Sequence, residues 1–82
     1  MAPIELTLMS RGYCHLCHDM EVALRPLAEE FGGLITVLDV EADADLDASY
    51  DELVPVLLHG EKELCHYFLD EAKTREYLAG IR

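Results

Sequence analysis

The sequence predicts a single α/β domain built on a small mixed β-sheet. Apolar runs of strand length alternate with amphipathic helical segments, and only a short turn separates the last two apolar runs. The element order is therefore βαβαββα, with helices flanking four strands. The βαβ unit implies two parallel strands with a right-handed crossover, and the turn-linked pair adds antiparallel strands. Because no linker or repeat interrupts the 82 residues, we expect one domain over residues 1–82.

The first half of the chain carries the strongest element signals. Residues 4–9 form a mostly apolar run that predicts a buried strand, and residues 34–40 predict a second one. Between them, residues 15–31 predict a helix that stops at Gly32-Gly33. Pro26 lies inside this helix, so we expect a kink or a lost hydrogen bond there. The apolar positions of the helix recur every three or four residues: Leu16, Met20, Leu24, Leu27 and Phe31.

The second half predicts a weaker helix, a hairpin and a final helix. Residues 41–53 show a sparse helical stripe among many acidic residues, and residues 56–58 form a short apolar strand after Val54-Pro55. Residues 59–62 predict a turn, from which residues 64–68 can pair back as a hairpin. Asp70 is a suitable N-cap for a helix that runs to about Leu78.

The charge and cysteine content exclude several function classes. A net charge of −11 would repel nucleic acid and disfavours small anionic ligands, so a basic or neutral protein is the better partner. Three cysteines are too few, and odd in number, for a secreted disulfide scaffold. No apolar run has the length of a membrane span, and the N-terminus shows no signal-peptide pattern. We therefore expect a cytoplasmic monomer that binds neither membrane nor nucleic acid.

Cys14-His15-Leu16-Cys17 lies where the first predicted strand gives way to the first helix. Two cysteines three residues apart at a helix start share one face and can form a disulfide with little backbone movement. The unpaired N–H groups and the helix dipole also favour a thiolate at Cys14. The motif thus supplies a nucleophile and a neighbouring thiol that can resolve the mixed disulfide it forms.

Two metal-based alternatives use the same residues. Cys14 to His18 match the Cys-x-x-Cys-His haem-attachment pattern, which needs export and a second axial ligand. Zinc needs four N or S ligands, but a second clean pair at zinc spacing is missing. The candidate zinc ligands are Cys14, His15, Cys17, His18, Cys65 and His66.

A calcium site is a third alternative, suggested by the acidic segment. Asp43-x-Asp45-x-Asp47 begins like an EF-hand loop. Ala48 stands where that loop requires glycine, and Val54 stands where it requires a bidentate glutamate. The pattern favours a solvated acidic helix face.

The segment from Leu8 to Cys17 resembles the active-site segment of glutaredoxins. In those proteins a strand is followed by Ser, a basic residue, a small residue, Tyr and Cys-x-x-Cys. Leu53-Val54-Pro55 lies where the family carries a Val-Pro whose proline is cis and faces the cysteines. The resemblance covers the whole chain in element order, which is the thioredoxin-type arrangement, and is closest to short bacterial glutaredoxin-like proteins of undefined function.

The resemblance implies a disulfide reductase or electron carrier in which Cys14 and Cys17 are catalytic. Its substrate would be a disulfide-containing protein or a small thiol compound, with no metal and no bound cofactor. Electrons would come from glutathione or from a flavoprotein reductase. Arg11 and His15 would favour the thiolate, and the backbone of Val54 would pair with an extended substrate. The substrate-binding candidates are Arg11, Tyr13, His15, Val54, Pro55, Cys65 and His66.

The chain departs from the glutaredoxin pattern where glutathione would bind. Cys65 and His66 fall ten and eleven residues after Pro55, where the family carries a Gly-Gly pair. Leu69 takes the place of the acidic residue that holds the glutathione amino group, and Asp70 comes one residue later. These differences disfavour glutathione, and Cys65 is either a small core residue or a third redox thiol. The alternative is a non-enzymatic thioredoxin-fold module that binds a protein partner or zinc through the Cys-x-x-Cys cysteines.

Overall fold

The computed structural model describes residues 4–12, 14–50 and 53–81, without the side chains of residues 46 and 47. The predicted α/β class and element order are confirmed. The elements are β1 (Ile4–Ser10), α1 (His15–Glu30), β2 (Gly33–Asp39), a 3-10 turn (Val40–Ala42), α2 (Ala44–Tyr50), β3 (Val56–His59), β4 (Lys62–His66) and α3 (Glu71–Ile81).

The four strands form one mixed sheet in the order β2-β1-β3-β4. β1 and β2 run parallel, with Ile4 opposite Gly33 and Ser10 opposite Asp39. β3 is antiparallel to both β1 and β4, and its register with β1 ends at the pair Met9–Val56. The hairpin therefore extends the parallel pair on one side, as the sequence predicts, and leaves β2 and β4 at the edges of the described sheet.

Helices cover both faces of the sheet because side chains alternate along each strand. Leu6 and Leu8 point toward α1 and α3, while Met9 points toward the 3-10 turn and α2. Burying each of these large apolar side chains contributes about 1.5–3 kcal/mol. The larger cluster comprises Leu6, Leu8, Met20, Leu24, Leu27, Ala28, Leu57, Leu64 and Leu78, and the smaller one comprises Met9, Val40, Val56 and Leu58.

The helix ends follow local capping chemistry. α1 runs without interruption through Pro26, and the chain leaves it through Gly32 at a φ of 68°, which glycine adopts without strain. Asp70 accepts a hydrogen bond from the Lys73 N–H at 3.1 Å, which confirms it as the cap of α3. None of the described helices is both long and apolar enough to cross a membrane.

Two segments differ from the sequence prediction. β4 occupies residues 62–66 instead of 64–68, because Gly60, at a φ of 63°, allows a tighter turn after β3. The helix predicted over residues 41–53 is divided into the 3-10 turn and α2. Asp39 and Asp43 each accept a backbone N–H two residues later, at 2.8 and 2.9 Å, so each carboxylate starts its own short turn.

Candidate active site

The cysteine pair lies at the N-terminus of α1, beyond the end of β1. Cys14 is the N-cap, with an extended backbone, and its sulfur accepts the Cys17 N–H at 3.1 Å. Cys14 and Cys17 are joined as a disulfide, with their Cα atoms 5.2 Å apart. The predicted pairing is therefore present. The N–H that contacts the Cys14 sulfur is the kind of donor that stabilises a thiolate once the pair is reduced.

The two cysteine residues differ in their access to solvent. Cys17 is 3% exposed and belongs to the buried side of α1, whereas Cys14 is only half-buried. Cys14 is therefore the more accessible of the two residues. The difference follows from the sequence, because Cys17 precedes Met20 and Leu24 on the buried face of the helix.

The strand register places Val54 and Pro55 at the same edge of the sheet as the end of β1. Met9 is opposite Val56, so the two preceding residues project beyond the last β1–β3 pair. The Val54–Pro55 peptide bond is cis, as the resemblance implies. Pro55 is buried, and Val54 packs on the smaller core cluster.

Tyr67 lies beside Pro55, a placement that the sequence did not predict. Its backbone N–H donates to the Pro55 carbonyl at 2.8 Å, which continues the β3–β4 pairing one residue beyond β4. Tyr67 has a φ of 64°, a conformation uncommon for residues other than glycine. No local sequence pattern predicts a tyrosine in that conformation. Only the strand register shows that Tyr67 lies beside Pro55.

Cys65 and His66 lie side by side in β4 and point to opposite faces of the sheet. Cys65 is opposite Leu57, half-buried, and packs against the larger core cluster. His66 is exposed, and its Nδ1 lies 3.3 Å from a Glu63 carboxylate oxygen. The His66 ring also meets the Tyr67 ring edge-on, at 4.8 Å between centroids. His66 is therefore linked to Pro55 through Tyr67, while Cys65 faces the core.

The remaining candidates lie on the surface around Cys14. Arg11 forms an ion pair with Glu41 of the 3-10 turn, at 3.0 Å between Nη1 and Oε1. His15 and His18 are exposed on the first turns of α1. Tyr13 lies outside the described residues. Across the described ranges, no three His, Cys, Asp or Glu side chains are grouped as ligands for a metal ion.

The chain matches one sequence family and is similar to several solved structures. The sequence profile of the glutaredoxin-like domain (DUF836) matches residues 5–79. The solution structure of protein Ne2328 from Nitrosomonas europaea is 35% identical, with a TM-score of 0.81 over 94% of this chain and 93% of that one. Protein XcR50 from X. campestris is 34% identical, with a TM-score of 0.68 over 92% of this chain and 96% of that one.

The thioredoxin Deadhead from Drosophila melanogaster shares the fold. It is 21% identical, with a TM-score of 0.63 over 98% of this chain and 82% of that one. No curated protein matches the chain. The predicted thioredoxin-type arrangement is confirmed by these similarities.

Proposed function

Since the chain belongs to the glutaredoxin-like domain family, we propose that it is a thiol–disulfide oxidoreductase that works through Cys14 and Cys17. The observation that carries the proposal is the asymmetry of the cysteine pair at the start of α1. Cys14 is accessible and accepts a helix N–H, whereas Cys17 is buried directly beside it. The Cys14 sulfur is thus suited to attack a substrate, whereas the Cys17 sulfur is suited to attack only Cys14.

The reaction would proceed in two exchange steps. In the reduced protein, the Cys14 thiolate attacks one sulfur of a substrate disulfide, breaks its S–S bond and releases the first substrate thiolate. The Cys17 thiolate then attacks the Cys14 sulfur, forms the intramolecular disulfide and releases the second thiolate. Two electrons pass to the substrate, and the two protons that Cys14 and Cys17 lose on ionising balance those taken up by the two released thiolates.

Residues around Cys14 would orient the substrate and favour the thiolate. Val54 lies beyond the last β1–β3 pair, which supports a role for its backbone in pairing with an extended substrate chain. The Arg11 guanidinium would favour the thiolate, but Glu41 competes for this cation, so we assign Arg11 a minor part. His15 is exposed at the first helical position, where it can contact the substrate.

Electrons for the next cycle would come from a flavoprotein reductase in preference to glutathione. Glutathione carries two carboxylates, and a net charge of −11 disfavours its approach. The exposed side chain of His66 also stands where glutaredoxins keep a glycine for close backbone contact with glutathione. Recycling assays that offer each reducing system to one disulfide substrate would test this choice: faster turnover with glutathione would contradict it.

Three serine variants test the proposed function. Cys14→Ser is expected to abolish reduction of a disulfide substrate, and Cys17→Ser to retain attack but accumulate a mixed disulfide visible by mass spectrometry. Cys65→Ser is the matched control, because it removes the remaining thiol while leaving the motif intact. Full activity of Cys14→Ser, or stoichiometric zinc in the isolated reduced protein, would refute the proposal.

A further inference from the structure

A shallow groove runs along the N-terminal part of α1. It has a volume of about 220 Å³ and is lined by Leu16, Asp19, Met20 and Ala23 of α1 and by residues 67–69. We call it the Phe68 groove. One end of it is Leu16, on the first turn of α1, and Cys14 is the N-cap of that same turn.

The groove is apolar and open on one side. Met20 forms part of its buried floor, and Leu16 and Leu69 are half-buried. Phe68 is 69% exposed, the largest exposure among the large apolar side chains in the described ranges. When a partner covers an exposed aromatic ring, the free energy of the complex falls because apolar surface leaves water. The groove therefore favours an apolar side chain as its occupant.

Asp19 gives the groove its charge. It is exposed and is the one charged side chain in the lining. Within the described ranges it forms no ion pair, whereas Arg11, Arg25 and Arg75 are each paired with a glutamate. Because the protein as a whole is strongly acidic, a cation near Asp19 would be attracted both locally and at long range.

We propose that the Phe68 groove binds a polypeptide substrate next to its reactive disulfide, with an apolar side chain on Phe68 and a Lys or Arg beside Asp19. The inference rests on the proposed function and specifies its substrate class. Glutathione has no apolar side chain, and its two carboxylates outweigh its single ammonium group. The groove would thus make the protein prefer disulfides in basic polypeptides to small anionic disulfides.

Single-turnover kinetics of the fully reduced protein test the groove. Three disulfide substrates are compared. The first is a mixed disulfide of a peptide that carries Phe and Lys next to its cysteine, and the second is the same peptide with Ser and Glu in place of Phe and Lys. The third is the mixed disulfide of glutathione. Phe68→Ala is expected to lower the rate of reaction with the Phe-Lys peptide about tenfold. Asp19→Asn is expected to lower that rate about threefold and to make it less dependent on salt. Neither variant should slow the glutathione disulfide.

Two surface variants serve as matched controls. Val22→Ala removes an exposed apolar side chain, and Glu29→Gln an exposed acid, from positions of α1 outside the groove lining. Both should react like the unmodified protein with every substrate. Equal slowing of all three substrates by Phe68→Ala, or unchanged rates with the Phe-Lys peptide, would overturn the inference.

Binding without chemistry separates this inference from the proposed function. A Phe-Lys peptide with serine in place of cysteine can be titrated calorimetrically into the oxidised protein. Weaker binding to Phe68→Ala than to Val22→Ala would support the groove even if no disulfide were reduced. Equal binding to both variants would overturn the groove while leaving the exchange chemistry of Cys14 intact.

Discussion

Replacing Thr74 with valine is expected to stabilise this protein. Thr74 lies on the inner face of α3 and is 0% exposed, and its Oγ1 has no hydrogen-bond partner among the described residues. The backbone N–H of Thr74 bonds the Asp70 carbonyl at 2.9 Å, so the helix itself is intact there. The folded protein thus buries a hydroxyl group without a partner, although water solvates that hydroxyl in the unfolded chain.

The size of the effect follows from that hydroxyl. A buried polar group without a partner costs about 1–3 kcal/mol, and valine replaces it with a methyl group of similar shape. Thr and Val have nearly equal helix propensities, so the backbone contributes little. We expect the free energy of unfolding to rise by at least about 1 kcal/mol, or at least about 4 °C in melting temperature for a domain of this size.

Urea unfolding followed by far-UV circular dichroism, with the cysteines held oxidised, measures this difference. Thr74→Ser is the paired control, because it keeps the hydroxyl but loses a buried methyl, and it should destabilise by about 1 kcal/mol. Thr36→Val, on the exposed edge strand, should change stability by no more than about 0.5 kcal/mol. Destabilisation by Thr74→Val as large as that by Thr74→Ser would refute the reasoning, since it would mean that the hydroxyl is hydrogen-bonded.

Two further substitutions test the packing of the helices with the same unfolding assay. Leu24→Ala should cost about 2–5 kcal/mol because Leu24 is fully buried, whereas Val22→Ala, which is exposed on the same helix, should cost less than about 0.5 kcal/mol. Similar costs for the two would contradict the orientation of α1. Tyr77→Phe removes the 2.6 Å hydrogen bond to His59 Nδ1 and should cost about 0.5–1.5 kcal/mol, and a stability gain would argue against that bond.

Most of the fold could be predicted because its signals are local. The apolar runs of β1, β2 and β3 are bounded by turn residues, and the stripe on α1 continues for four turns. The errors arose where several local patterns compete. In residues 41–53 the sparse apolar positions suggested one helix, but the carboxylates of Asp39 and Asp43 each began a separate turn. In the hairpin, Gly60 allowed a tighter turn than the apolar run indicated.

The candidate site was predictable in its sequence-local part. Cys14 and Cys17 are neighbours on one helical turn, so their spacing alone places them together. Pro55 could be associated with them only through the family resemblance, because its placement near the end of β1 depends on strand register. Tyr67 and Phe68 reach α1 through tertiary packing, and an exposed aromatic residue has no signature in the sequence.

The position of β2 at the rim of the sheet has a consequence for how the protein behaves in solution. Residues 32–38 carry no charge, and Leu34, Val37 and Leu38 are all more than a third exposed on this strand. Such an edge is a template for strand pairing between copies. Repulsion between the 17 acidic residues, all of which lie outside this segment, opposes such pairing. The negative charge of the chain thus opposes its aggregation, and acid or high salt weakens this effect because it neutralises or screens that charge.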